Sequence, residues 1–152
     1  MHSMKNTFPV IKAFLDTNVL VDFLIDSRPG HLAALEVFHL AYSHYIEVAV
    51  STQSILDASY ICGRVPGYSM DFFRKSMLYL LNQTNSGYID TFDLKTGLED
   101  PFAAIEDNAQ LAFAYHQCCD IVITNDKEML SRKVPGPMQV MSPEVFVNNC
   151  RA

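Results

Sequence analysis

Acidic side chains stand at recurring places in this 152-residue chain, and they are the residues whose types and spacing could do chemistry. In Phe14-Leu15-Asp16-Thr17-Asn18-Val19-Leu20-Val21-Asp22, an apolar run ends abruptly in a carboxylate followed by a hydroxyl and an amide. Asp57 lies in the stretch after the apolar run ending at Val50. Glu106 and Asp107 are adjacent, and Asp126 follows Ile121-Val122-Ile123-Thr124-Asn125. If Asp16, Thr124 and Asp126 end neighbouring strands, they meet at the carboxyl edge of a sheet, where open α/β sheets bind their ligands. Two carboxylates about 4 Å apart repel by roughly 4 kcal/mol at an effective dielectric near 20. Such a cluster therefore requires a shared proton or a cation. All-oxygen donors suit Mg²⁺ or Mn²⁺, and such ions serve phosphodiester hydrolysis. Thr17, Asn18 and Thr124 have the groups to orient a carboxylate or a water.

Each acid also has a structural alternative. Asp16 can cap the helix that follows it, which is compatible with a site role. Asp57 can favour a helix dipole, Asp107 can sit on a solvated helix face, and Asp126 can cap the turn at Lys127. Glu106 reads as a supporting or surface group, and Asp22 as a helix-face residue that supports the site. Glu99 and Asp100 read as helix-start chemistry.

The elements that must position these acids follow from periodicity. Strands are expected at Val10 to Leu15, Tyr45 to Val50, Tyr88 to Leu94, Asp120 to Thr124 and Met138 to Met141. Helices are expected at Val19 to Ile25, at His31 to Ser43, after a Ser51 cap to about Gly63, and after a Ser69 cap through Leu81. Asp100-Pro101 is read as a cap and first helical position, opening a helix to Gln117 with Phe102, Ile105, Ala109, Ala112 and Phe113 inside. A short turn at Lys127 to Leu130 and a last helix from Ser142-Pro143-Glu144 complete the set. Strands alternating with helices imply a parallel sheet covered on both faces: one α/β/α domain over residues 8–150, with 1–7 a disordered or appended terminus.

Composition narrows the function classes. Hydrophobic residues at 49% and charged residues at 18% describe a folded chain. No apolar run reaches the roughly 18 residues of a membrane span, so no membrane partner is expected. Net charge −6 and a pI near 5.2 argue against nucleic-acid binding through bulk positive charge. They leave room for an enzyme that meets phosphate through metal. Scattered cations, Arg64, Arg74, Lys75, Lys127, Arg132 and Lys133, would guide RNA, although solubility explains most of them. Cys62, Cys118, Cys119 and Cys150 lack C-x-x-C spacing and read as reduced, buried thiols of a cytoplasmic protein. The five histidines show no metal-ligand spacing. Phe72, Phe73 and Tyr79 read as core residues, and would serve a dimer or partner groove if exposed.

Taken in order, these motifs resemble the PIN domain family. The resemblance rests on Leu15 to Asp22, Ser51 to Tyr60, Ile105-Glu106-Asp107-Asn108-Ala109-Gln110, Asp120 to Asp126 and Val140 to Phe146, nearly the whole chain. It implies a five-stranded sheet in order 3-2-1-4-5 and an acidic, Mg²⁺- or Mn²⁺-dependent ribonuclease site, as in VapC-type toxins. Those are commonly homodimers held inactive by an antitoxin. By position, Asp16, Asp57, Asp107 and Asp126 are the catalytic acids, with Asp16, Asp107 and Asp126 as metal ligands and Thr17, Asn18 and Thr124 as supporting residues. Two departures stand out. The second acid is usually Glu, and Asp57 is one methylene shorter. The acidic motif ending in an aromatic that follows the fourth acid is replaced by Lys127-Glu128-Met129-Leu130. A catalytically weak PIN-fold binding or interaction module is the alternative. A receiver-like phosphoacceptor domain lacks its paired acids here.

Overall fold

Short apolar runs pair side by side in parallel, and the acids stand just beyond their ends. The computed structural model describes residues 10–101, 103–132, 134 and 136–151; residues 1–9, Phe102, Lys133, Pro135 and Ala152 lie outside the described residues. The elements are β1 (Lys12–Leu15), α1 (Thr17–Leu24), α2 (His31–Tyr42), β2 (Glu47–Ser51), α3 (Thr52–Gly63), α4 (Met70–Gln83), β3 (Asn85–Gly87), α5 (Thr91–Glu99), α6 (Ile105–His116), β4 (Ile121–Ile123), α7 (Lys127–Ser131), β5 (Gln139–Met141) and α8 (Pro143–Arg151). The five strands form one parallel sheet in order β3-β2-β1-β4-β5. This is the fold class and strand order expected above.

Successive side chains of a strand point to opposite faces, and here both faces are buried. Ala13, Leu15, Val48, Val50, Ile121 and Ile123 meet α1, α2, α3, α4 and α8 through residues such as Leu20, Phe38, Cys62, Leu80 and Phe146. Phe14, Ala49 and Val122 face the other way onto Phe113 and Ala114 of α6 and Met129 of α7. Phe14 and Phe113 pack edge to face at 5.7 Å. The result is three layers, with the sheet as a rigid base for its carboxyl edge. Register brings the site together: Leu15 pairs with Ile123, so Asp16 and Thr124 emerge side by side. Asp16 N donates to Ile123 O at 3.1 Å.

Several local expectations are corrected. Tyr88 to Leu94 is not a strand; β3 is Asn85–Gly87, and Thr91–Glu99 is a helix. Asp90 and Asp93 form its capping box. The apolar side chains of α5 face outward, Phe92, Leu94 and Leu98 all being exposed, so its sequence shows no buried stripe. Asp100-Pro101 does not open the next helix. Asp100 ends α5, and α6 starts five residues later behind Ala104, which offers no side-chain cap. Asn108 instead ties the end of α5 to α6, donating from Nδ2 to the carbonyls of Gly97 (3.2 Å) and Asp100 (3.1 Å). The two helices approach closely at Gly97, where a Cβ would lie 2.9 Å from Ile105 O and 3.0 Å from Ala109 N. Ile105, Phe72 and Tyr79, expected inside, are exposed, whereas Phe73 is buried. Strand β2 ends at Ser51 and leaves out Tyr45, which is exposed. Helix α1 begins at Thr17, two residues earlier than expected. All four cysteines are free, but Cys118 and Cys150 are exposed rather than buried. Among the described residues, no helix is long and apolar enough to cross a membrane.

Candidate active site

Asp16 does both of the things its position allows. It is the N-cap of α1, its Oδ1 accepting from Thr17 N at 2.8 Å. Its Oδ2 accepts from the Thr124 hydroxyl at 2.8 Å and from Asn18 Nδ2 at 3.1 Å. Thr124 is fully buried, and its oxygen also accepts from Asp126 N at 3.0 Å. Asn18 Oδ1 accepts from Asn125 N at 2.9 Å. Asn18 and Thr124 thus lock the ends of β1 and β4 together around one carboxylate. Thr17 contributes its backbone N–H, while its own hydroxyl is buried with no hydrogen-bond partner among the described residues.

Asp126 caps α7, with Oδ1 accepting from Glu128 N at 2.9 Å and Met129 N at 3.1 Å. The structural role proposed for it is therefore real. Its Oδ2 has no hydrogen bond among the described residues, so capping occupies only half of the carboxylate. Asp107, in the first turn of α6, is half-buried.

The shared field of these acids appears in their titration. Burial raises Asp16, opposed by the hydrogen bonds from Thr124 and Thr17 and reinforced by the charge of Asp126. Asp107 is pushed up to about 6, first by burial, then by Asp126, Asp16 and Glu128, with Arg132 opposing. Glu106 is pushed up to about 7, first by its hydrogen bond with Asp57, then by burial and by the charges of Asp57, Asp107 and Asp16. The structure therefore brings Asp16, Asp57, Asp107 and Asp126 into one electrostatic cluster and adds Glu106.

Asp57 differs from Asp16 in how it is satisfied. Its Oδ1 accepts from Gln53 Nε2 at 2.8 Å, one turn back on α3. Its Oδ2 is buried with no donor among the described residues. The group facing it is the Glu106 carboxyl, which can bond to it only as the protonated acid.

Sequence reading did not anticipate the joint that sets the two acid-bearing helices against each other. The Ser51 hydroxyl donates to Gln110 Oε1 at 2.8 Å, Gln110 Nε2 donates to Ser54 Oγ at 2.9 Å, and Ser54 N donates to Ser51 Oγ at 3.0 Å. Gln110, on α6, is essentially fully buried. The link fixes the start of α3, which carries Asp57, to the helix that carries Glu106 and Asp107. A glutamine one turn after Asp107, inside a run otherwise apolar, was the available signal.

A divalent ion is the group this donor set calls for. Every donor is a hard oxygen, the charges repel, and one buried carboxylate oxygen, of Asp57, has no partner among the described residues. On these grounds the residues fit such an ion. Among the described residues, however, no three acidic, histidine or cysteine side chains close on one point in this conformation. Holding a cation would require these side chains to draw inward.

Comparison with known proteins agrees with this architecture. Over 138 residues, 89% of this chain and 92% of the relative, the chain is 22% identical to Ribonuclease VapC1 of Aquifex aeolicus (strain VF5). Among solved structures, it resembles the Mycobacterium tuberculosis toxin VapC20, which cleaves the sarcin-ricin loop, with a TM-score of 0.62 and 11% identity over 82% of this chain and 98% of that one. It also resembles a toxin-antitoxin complex from Klebsiella pneumoniae, with a TM-score of 0.61 and 19% identity over 86% and 97%. VapBC2 from Rickettsia felis, bound to a fragment of its promoter DNA, gives a TM-score of 0.60 and 14% identity over 87% and 98%. These likenesses establish the fold. A family model described as PIN domain matches residues 12–128, the span from β1 to the start of α7, which holds Asp16, Asp57, Glu106, Asp107 and Asp126. The chain belongs to the PIN domain family.

Proposed function

We propose that the protein is an Mg²⁺- or Mn²⁺-dependent endoribonuclease that hydrolyses RNA phosphodiesters, the toxin of a toxin–antitoxin pair, working as a cytoplasmic homodimer. The observation that carries this reading is the convergence of Asp16, Asp107 and Asp126 in one repulsive field, with Asp107 pushed up to about 6. The ribonuclease and toxin names of the similar proteins support the class of activity, and the toxin–antitoxin complexes among them support an antitoxin partner.

In this reading Asp16, Asp107 and Asp126 hold the ion, and Asp57 assists directly or through water. The ion supplies positive charge, polarisation of the phosphoryl oxygens and acidification of the attacking water. Thr124 and Asn18 hold the Asp16 carboxylate in one orientation, so little reorganisation is needed when substrate arrives. The capping bonds to Asp126 Oδ1 fix that carboxylate while leaving Oδ2 available.

The test is cleavage of a short single-stranded RNA by the wild type and by Asp16→Asn, with Mg²⁺, Mn²⁺ or EDTA. A loss of at least about 100-fold is expected, the scale seen when metal-site contacts are removed, with the circular dichroism spectrum unchanged. Equal cleavage by the two proteins rejects the assignment. The open spacing of the acids and the short Asp57 favour a second reading, a PIN-fold interaction module with little catalysis. Thermal melts separate the two. A site that binds Mn²⁺ raises the melting temperature through linkage, whereas no shift at millimolar Mn²⁺ favours the module.

A further inference from the structure

Net charge −6 and a cluster of carboxylates make this an unfavourable surface for RNA. A cation fixed at the rim of the cluster would offset that, and three of the cations expected to guide RNA are engaged elsewhere. Arg132 is turned inward onto Asp100 and Asn108. Lys75 pairs with Asp71 on the exposed face of α4, and Arg64 lies over the Tyr60 ring at 4.1 Å.

Arg28, which was not among them, is held differently. It lies in the turn after α1, and its Nε donates to Asp22 Oδ1 at 2.6 Å. Asp22 is only 4% exposed, and its Oδ2 accepts from Asn125 Nδ2 at 2.8 Å. Asn125 stands between Thr124 and Asp126, and its backbone N–H holds Asn18, which holds Asp16. Gly30 closes the turn against this carboxylate so tightly that a Cβ there would sit 2.2 Å from Asp22 Oδ2. The turn is further tied by His31 Nδ1 to Asp22 O at 2.8 Å. Yet the Arg28 side chain keeps 41% of its exposure, and neither terminal nitrogen has a partner among the described residues. A buried ion pair commonly consumes the whole guanidinium fork. Here one nitrogen is consumed, and the remaining fork is presented to solvent, joined through Asp22 and Asn125 to the loop that carries Asp126.

We propose that Arg28 is the RNA-backbone anchor of this site, a guanidinium aimed by buried Asp22 so that its free fork takes a phosphate next to the one being cleaved. Arginine offers two parallel donors to a phosphate, which positions the strand as well as attracting it. Asp22 is then a positioning residue: one of its oxygens sets the arginine and the other sets the loop that carries Asp126. The inference rests on the ribonuclease reading above.

The test measures binding of a short fluorescein-labelled single-stranded RNA of mixed sequence by anisotropy, in Mg²⁺, across a salt series. All proteins carry Asp16→Asn to stop cleavage. Arg28→Met should weaken binding by about three- to tenfold for every sequence and flatten the slope of log Kd against log salt by about 0.7, the value of one phosphate contact on a single strand. Arg28→Lys should restore the slope while recovering only part of the affinity. Because Arg28→Met strands a buried carboxylate, the double variant Asp22→Asn/Arg28→Met, which removes both charges, guards against misfolding and should show the same flattened slope. A pair that merely staples the turn would change melting temperature and leave the slope intact, and that result overturns the anchor. An Asp16→Asn protein with Arg28 intact that binds no RNA overturns both this inference and the ribonuclease reading. Normal binding that Arg28→Met leaves unchanged overturns the anchor alone.

Discussion

The two halves of the acidic cluster are built on opposite principles. On the β1–β4 side, Asp16 receives three hydrogen bonds, and its partners Thr124 and Asn18 are themselves bonded. On the α3–α6 side, Asp57 faces Glu106, another carboxyl, and one of its buried oxygens has no donor. Both halves rest on well-packed elements, so the difference does not come from loose packing. It lies in the local chemistry of the carboxylates. The first half pre-orients a charge by surrounding it with donors. The second stores repulsion that a proton or a cation relieves. A preset half and a responsive half teach that perturbations should differ in kind. Damage on the first side should remove structure and activity together, whereas change on the second should alter how the protein answers to pH and metal.

Thr124→Val is the sharpest way to break the first half. Valine keeps the shape but removes the donor to Asp16 Oδ2 and the acceptor for Asp126 N at a site with no solvent. Leaving these buried groups short of partners costs about 2 kcal/mol, a fall of roughly 4–8 °C in melting temperature for a chain of this size. RNA cleavage should drop about 10- to 100-fold through loss of orientation of Asp16. Chemical denaturation and single-turnover cleavage check the two effects. A variant as stable and active as the wild type would show that the hydroxyl is not holding the carboxylate.

The second half should show itself in the pH dependence of the metal-free protein. Glu106 is raised from 4.5 to about 7 and Asp107 from 3.8 to about 6. Between the unfolded and folded values, the native state binds more protons than the unfolded chain, so stability falls as pH rises. The contribution of these two groups is complete below their unfolded values and is lost as pH climbs through about 6 and then about 7. Melts in EDTA should therefore give a lower melting temperature at about pH 7.5 than at about pH 5.5, and millimolar Mg²⁺ should narrow the gap. A gap unaffected by Mg²⁺ would separate the stored repulsion from any metal.

This division also decides what was legible in the sequence. The preset half was readable because strand ends follow from hydrophobic runs: Asp16 after Phe14-Leu15 and Thr124 after Ile121 to Ile123 could be placed at one edge once the strands were taken as neighbours. The cap-like nature of Asp16 and Asp126 was readable too, from their positions before helices. The responsive half was harder, because it depends on how far α3 and α6 are brought together. That distance is set by Gln110 reaching Ser54 and Ser51, and by α5 lying close against α6 at Gly97. Helix α5 itself was mistaken for a strand, since Tyr88 to Leu94 is aromatic and its helical apolar side chains face outward. Arg28 carries no signal in the sequence, because its setting comes from Asp22 and Asn125, which are 103 residues apart.

The gentlest way to sharpen the comparison is Glu106→Gln. Glutamine keeps the length of the side chain, removes the charge that faces Asp57 and offers an N–H to the oxygen that lacks a donor. Glu106 is largely exposed, so the gain is discounted for solvent screening. About 0.5 kcal/mol is expected, or roughly 1–2 °C in the metal-free melt at about pH 7.5. The gain should shrink at about pH 5, because the wild-type carboxyl is already protonated below about 7 and can make the same hydrogen bond itself. The sign carries the argument, since removing an ionisable group from a surface ordinarily does nothing or harm. Stabilisation confined to the higher pH would mean that the α3–α6 side holds a charge conflict in the resting protein. A pH-independent loss would mean that Glu106 is an ordinary partner of Asp57, and that the two halves of the cluster do not differ in the way argued here.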